Sequence, residues 1–223
     1  MIELKRISDQ SEAAAYLVRK IAGALNEGRE VLWLVAGGSA MDVAVKAAQA
    51  LSANQGLDRL TVTLTDERYG KTGHADSNWR QLNEKGFSLP GAKLEPILSG
   101  ESMTETAARF DRLLNESIAS GAYAIALAGM GPDGHIFGIK PGSPAVDAAE
   151  DIAAYDWDDF KRLTPTLNML KKLDEVVIYA VGQEKHRQLD LLEKDLPAND
   201  QPAQQLKKLK KVIIFNDYKG GSA

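Results

Sequence analysis

Two apolar runs limit what this chain can fold into more than any other feature. Val31-Leu-Trp-Leu-Val-Ala36 and Tyr123-Ala-Ile-Ala-Leu-Ala128 are short and continuously apolar, the pattern of a strand covered on both faces. Each runs straight into glycine. The first ends at Gly37-Gly38-Ser39, and an alanine-rich helical stretch follows from Met41 to about Ala53. The second ends in Ala128-Gly129-Met130-Gly131-Pro132-Asp133-Gly134-His135. Strand, glycine turn and helix make a βα unit, and the rest of the chain repeats that grammar.

The alternating, β-branched Leu60-Thr-Val-Thr-Leu-Thr65, the run Glu175–Val181 and the short Val212–Phe215 read as further strands. Leu17, Ile21 and Leu25 recur every four residues and predict a helix capped by Ser8 or Ser11, running to Asn26 and stopped by Gly28. Ser77 caps a helix through Lys85. Ser102-Met-Thr-Glu105 is a capping box opening a helix to about Ala119. Thr164-Pro165 reads as an N-cap with proline at the first helical position, ending by Lys172. Gly182-Gln-Glu-Lys185 leads into a helix to about Glu193. Residues 86–100, 141–144 and 195–204 read as loops, and the acidic, aromatic stretch 147–160 has no clear pattern. With no repeat and no linker, the chain reads as a single α/β domain over residues 1–223, with a mainly parallel sheet and helices on both faces.

Composition narrows the function. There is no cysteine among the 223 residues, which removes disulfides, thiol catalysis and cysteine-ligated zinc. A net charge of −4 gives no footprint for nucleic acid or a membrane surface. The charged N-terminal Met1-Ile-Glu-Leu-Lys-Arg6 is unlike a signal peptide, and no stretch is as apolar as a spanning helix, so a cytoplasmic protein is expected. Three histidines without ligand spacing argue against a metal site.

Ligands of open α/β sheets bind beyond the carboxyl ends of the strands. Four predicted strands end in polar groups: Gly37-Gly38-Ser39, Asp66-Glu67-Arg68, Asp133-Gly134-His135, and Gly182 with Lys185. Gly37-Gly38-Ser39 ahead of a helix is either a plain turn or an anion cradle; it is neither a P-loop nor G-x-G-x-x-G. Asp66 and Arg68 are either a surface ion pair or ligands for a polyol and an anion. The imidazole of His135 beside the Asp133 carboxylate suits proton transfer near neutral pH, against a tight turn carrying an incidental histidine. Arg162 and Lys185 are solvated charges by default. His74 and His186 are expected to be exposed and uninvolved.

Together these segments resemble the 6-phosphogluconolactonase and glucosamine-6-phosphate isomerase/deaminase superfamily. The likeness rests on Ala36-Gly-Gly-Ser39, Thr65-Asp-Glu-Arg68 with Asp76-Ser-Asn78, Gly129-Met-Gly-Pro-Asp-Gly-His135, Arg162-Leu-Thr164 and Gly182-Gln-Glu-Lys185, in that order. It implies a Rossmann-like sheet and a sugar-phosphate substrate, with no cofactor, in a monomer or small homo-oligomer. The lactonase branch is the better match. The deaminase branch usually carries tyrosine where this chain has Arg68, and a glutamate five residues past the histidine where it has Lys140. The loop Ile136-Phe-Gly-Ile-Lys-Pro-Gly142 departs from the lactonase pattern.

By that resemblance the expected reaction is hydrolysis of 6-phospho-D-glucono-1,5-lactone. His135 would be the general base and Asp133 its orienter, with Asp66 on the sugar hydroxyls or the water. Gly38, Ser39, Arg162 and Lys185 would hold the phosphate, and Gly37, Arg68 and Gly131 are further expected substrate contacts. The alternatives are a glucosamine-6-phosphate isomerase/deaminase using Asp66 as base, or a sugar-phosphate-binding protein without catalysis.

Overall fold

The computed structural model describes residues 2–222. Its core is an eight-stranded sheet in which every ladder is parallel. The strands are β1 (Ile2–Arg6), β2 (Val31–Val35), β3 (Leu60–Leu64), β5 (Lys93–Leu94), β6 (Tyr123–Gly129), β9 (Glu175–Ala180), β10 (Val212–Asn216) and β11 (Gly221–Ser222). They lie in the order β11-β1-β10-β9-β6-β2-β3-β5. β2 is buried along its whole length, as its unbroken apolar run requires at the centre of a parallel sheet. β1 went unpredicted because its alternating charges, Glu3, Lys5 and Arg6, mask a strand near the sheet edge.

Helices α1 (Gln10–Asn26), α2 (Met41–Leu51), α3 (Asn78–Glu84), α4 (Met103–Ala119), α5 (Leu167–Leu170) and α6 (Gln183–Leu192) connect them. The chain steps from β2 outward to β3 and β5. It then returns through β6 and steps the other way to β9 and β10. Right-handed crossovers in the two directions put their helices on opposite faces. The cap of α1 is Asp9, not Ser8 or Ser11: it forms a capping box with Glu12. The capping box of α4 (Ser102 with Glu105) and the Ser77 cap of α3 are as the sequence suggests. None of these helices is long and apolar enough to cross a membrane.

A second, three-stranded antiparallel sheet was not foreseen. It comprises β4 (Glu67–Arg68), β8 (Lys161–Pro165) and β7 (Ile152–Asp156), in the order β4-β8-β7. Thr164 and Pro165 therefore end a strand, and the helix cap is Thr166, whose hydroxyl accepts from the Asn168 amide at 3.3 Å. The unplaced stretch 147–160 supplies β7 and the tight turn into β8. Pro202–Lys208, which overlaps the end of the expected loop 195–204, forms a 3₁₀ segment in which Gln204 and Gln205 are buried, as is Gln201 just before it.

Candidate active site

The carboxyl ends of the central strands are level: Val35 is in register with Leu64 and with Leu127, and Leu127 with Val177. β2 and β6 are neighbours from which the chain departs in opposite directions. They form the topological switch point, where open α/β sheets bind their ligands. A cleft of about 370 Å³ opens there. Gly37, Gly38 and Ser39 after β2, Asp66 and Arg68 after β3, Gly131 and His135 after β6, Arg162 on β8 and Lys185 on α6 all line it. Asp133 lies behind the wall, against the histidine.

The loop after β6 is wound tightly on itself. The Gly131 amide donates to the His135 carbonyl at 2.9 Å, and the Gly134 amide to the Gly131 carbonyl at 3.0 Å. A Cβ on Gly131 would sit 2.1 Å from His135 Nδ1, so only glycine leaves room for the imidazole. Its amide is committed within the loop, so what Gly131 offers the cleft it lines is the absence of a side chain. Gly134 has φ of +82°, and a Cβ there would meet Gln188 and Gln201 at 2.8 Å. Those two glutamines buttress the loop from the far side. Gln188 Nε2 donates to the Pro132 carbonyl at 2.7 Å, and Gln201 Nε2 to Gln188 Oε1 at 3.0 Å. Phe137 holds φ of +52°, a sparsely populated conformation for an aromatic residue, inside this same loop. The small sheet braces it further: Gly138 donates to Thr164 Oγ1 at 3.1 Å and accepts from the Tyr155 hydroxyl.

His135 Nδ1 and Asp133 Oδ1 are 2.5 Å apart, and the same oxygen accepts the His135 backbone N–H at 3.2 Å. The Asp133 carboxylate can only accept, which favours the tautomer that carries its proton on Nδ1 and its lone pair on Nε2. Lys140 Nζ closes the group, 3.2 Å from Asp133 Oδ2 and 3.2 Å from His135 Nδ1. Partial burial pushes the Asp133 carboxyl upward, but the His135 hydrogen bonds and charge, with Lys140, hold it well below the usual carboxylate range.

The other side of the cleft is cationic. Lys185 Nζ donates to Ser39 Oγ at 3.0 Å and is only 5 % exposed. Burial lowers its pKa, because the ammonium has given up water without gaining a carboxylate contact. Arg162 Nη2 donates to both oxygens of Asp159, at 2.9 and 2.8 Å. Arg68 Nη1 donates to the Asp76 carbonyl at 3.0 Å, so the alternative of an Asp66–Arg68 surface ion pair is set aside. Asp66 is buried, accepting from Thr65 Oγ1 at 2.9 Å through Oδ1, and its carbonyl accepts from Asn78 Nδ2 at 2.9 Å.

Glu67 is the structural member of its triplet. Strand alternation turns it away from the side shared by Asp66 and Arg68, a signal present in the sequence. Its buried carboxylate accepts from the amides of Arg68 (2.8 Å), Asn78 (2.7 Å) and Trp79 (3.2 Å) and from Ser77 Oγ (2.9 Å). It therefore satisfies the free first-turn amides of α3. Burial raises its pKa in spite of those four donors. Asn78, which also lines the cleft, and Asp159 were not among the expected site residues. Asn78 lay inside a matching segment, whereas Asp159 had no signal beyond acidity.

His74 and His186 are half-buried rather than exposed, and neither lines the cleft. His74 Nε2 lies 2.9 Å from the Arg68 carbonyl, and His186 Nε2 lies 3.0 Å from Asp217 Oδ1 with its ring stacked on Tyr218.

Fold and cleft together define a parallel α/β protein with a histidine–carboxylate pair and a cationic wall at the sheet's switch point. Family comparison agrees: the model of the glucosamine-6-phosphate isomerases/6-phosphogluconolactonase family matches residues 8–214. The chain belongs to that family. It is 32 % identical over 146 residues to a 6-phosphogluconolactonase of Caulobacter vibrioides, covering 60 % of this chain and 62 % of the relative. It is 30 % identical over 190 residues to a 6-phosphogluconolactonase of Rattus norvegicus, covering 78 % and 74 %. The chain thus spans about six-tenths of the Caulobacter relative and about three-quarters of the rat one. The crystal structure of 6-phosphogluconolactonase from Thermotoga maritima superposes with a TM-score of 0.81 at 24 % identity, covering 97 % of this chain and 98 % of that one. That likeness establishes the fold.

Proposed function

We propose that this protein hydrolyses 6-phospho-D-glucono-1,5-lactone to 6-phosphogluconate. The observation that carries the reading is the 2.5 Å contact between His135 Nδ1 and Asp133, in a cleft that also presents Ser39, Arg162 and Lys185. His135 Nε2 takes a proton from water as the water oxygen bonds to the lactone carbonyl carbon. The imidazolium formed is stabilised by Asp133. It returns the proton to the ring oxygen as the bond from that oxygen to the carbonyl carbon breaks. General-base assistance of this kind is worth about 10²–10⁴-fold. Arg68 stabilises the developing oxyanion, and the amides of the Gly37–Ser39 turn face the phosphate. Ser39, Lys185 and Arg162 hold the phosphate, so binding energy far from the reacting carbon orients it. Asp66 accepts from the sugar hydroxyls. The step needs no cofactor.

The family also holds isomerases. Lys140 favours the lactonase reading, because an ammonium stands beside His135 at the position where the resemblance leads one to expect the deaminase's glutamate. The test is turnover of freshly generated lactone above its spontaneous hydrolysis, with His135→Ala alongside. Acceleration that disappears in the variant supports the proposal, and an unchanged rate in the variant removes His135 from the mechanism.

A further inference from the structure

Arg162 and Arg68 face each other in register across β8 and β4. Their guanidinium carbons lie 5.5 and 4.9 Å from the centroid of the same ring, Phe160. Arg162 is 6 % exposed, and the Nε atoms of both arginines are buried with no hydrogen-bond partner. Two neighbouring cations with unused donors are thus fixed in place before any ligand arrives. Among the described residues, the one carboxylate that Arg162 engages is Asp159, whose side chain is 48 % exposed. It belongs to the turn 157–160 between β7 and β8, closed by a 3.1 Å bond from the Trp157 amide to the Phe160 carbonyl. Asp159 can therefore leave Arg162 by a local rearrangement of that turn, without breaking either sheet. It also lines the cleft.

We infer that Asp159 sets the affinity of this subsite: it is a tethered anion that occupies Arg162 in the free protein and that an incoming phosphate monoester displaces. The inference rests on the reading of this cleft as a sugar-phosphate site. Burial works against the charged form of Asp159, but the Arg162 hydrogen bond and charge together outweigh it and hold the carboxyl below its ordinary range. A free carboxylate or other monoanion would exchange one singly charged group for another and gain nothing. It would also compete against a group whose effective concentration, set by the tether, is on the order of millimolar or above. A phosphate dianion brings a second charge and a third oxygen, so it holds the Arg162 guanidinium more strongly than a single carboxylate does. The tethered carboxylate lowers the affinity of every anion that must displace it by one common factor, and the dianion's stronger hold on the arginine keeps it bound.

The test is titration of the whole protein, and of Asp159→Asn, with inorganic phosphate and with acetate by calorimetry. Asp159→Ser serves as a second variant, and circular dichroism checks that both are folded. Removing the carboxylate should tighten phosphate binding about two- to fivefold, the range an ion pair with one exposed partner covers. Acetate, which gains nothing by taking a carboxylate's place, should remain weaker than phosphate in wild type and variants alike. The Michaelis constant for the phosphorylated lactone should fall in the same variants. Phosphate affinity that is unchanged or weaker in both folded variants overturns the inference. If phosphate does not bind the wild type and Lys185→Met alters nothing, the sugar-phosphate reading fails first and takes the inference with it.

Discussion

Replacing Gly131 by alanine tests the acid–base pair without removing any ionisable group. Gly131 is not among the positive-φ residues, so its backbone accepts alanine without strain. The new Cβ would lie 2.1 Å from His135 Nδ1, 2.2 Å from its Cε1 and 2.6 Å from Asp133 Oδ1. Ordinary contact for such pairs is about 3.5 Å or more, so the imidazole must move by more than about 1 Å. A misplacement of that size costs on the order of 10²-fold, and full loss of the base about 10²–10⁴-fold. The His135 side chain is 27 % exposed and can swing toward solvent. The stability cost should therefore stay at the low end of the range for overpacking, about 1 kcal/mol. The assay is steady-state hydrolysis of the phosphorylated lactone, with thermal melting and 6-phosphogluconate binding as controls. The expected result is a loss in kcat of about 10²-fold or more, with product binding kept and melting barely changed. Wild-type turnover by a folded Gly131→Ala protein would refute the claim that this loop exists to hold His135 against Asp133.

Other residues give independent tests. Lys185→Met removes a buried ammonium held only by a hydroxyl. Its lowered folded pKa means that keeping it charged below 10.5 costs stability, so the variant should melt higher at pH 7, by about 2–4 °C per kcal/mol relieved, while binding phosphorylated ligands at least about tenfold more weakly. Glu67→Ala strands four donors around a buried cavity and should cost about 3 kcal/mol or more by chemical denaturation, with Asn78 and Arg68 loosened and activity reduced. The depressed folded pKa of Asp133 contributes stability above its unfolded value of 3.8, and this is lost only as the pH falls through the folded value. Asp133→Asn should therefore melt below the wild type at pH 7, with the gap closing in strongly acid solution.

The central sheet was legible because β2 and β6 are apolar runs that end in glycine, and neither helix nor amphipathic strand fits them. The site was legible for the same reason: parallel strands deliver their carboxyl ends to one edge, so motifs far apart in sequence meet. The small sheet was not. β7 (Ile-Ala-Ala-Tyr-Asp) and β8 (Lys-Arg-Leu-Thr-Pro) show neither the unbroken apolar run of the central strands nor a clean alternation, and the Thr164-Pro165 pair ends a strand as readily as it caps a helix. Gln188 and Gln201 were also hidden, because a glutamine that props up a loop looks like any surface glutamine until the carbonyl it meets is known. Lys140 was visible as an oddity, and only its distances to Asp133 and His135 explain it. Asp159 needed the turn between β7 and β8 before its carboxylate could be placed on Arg162.

The most direct test of the account is the rate at which the protein consumes freshly generated 6-phosphogluconolactone, measured beside His135→Ala and beside an assay for ammonia released from glucosamine 6-phosphate. The account predicts rapid lactone hydrolysis that the variant loses, and no ammonia. Ammonia release, or lactone decay no faster than in buffer, would contradict it.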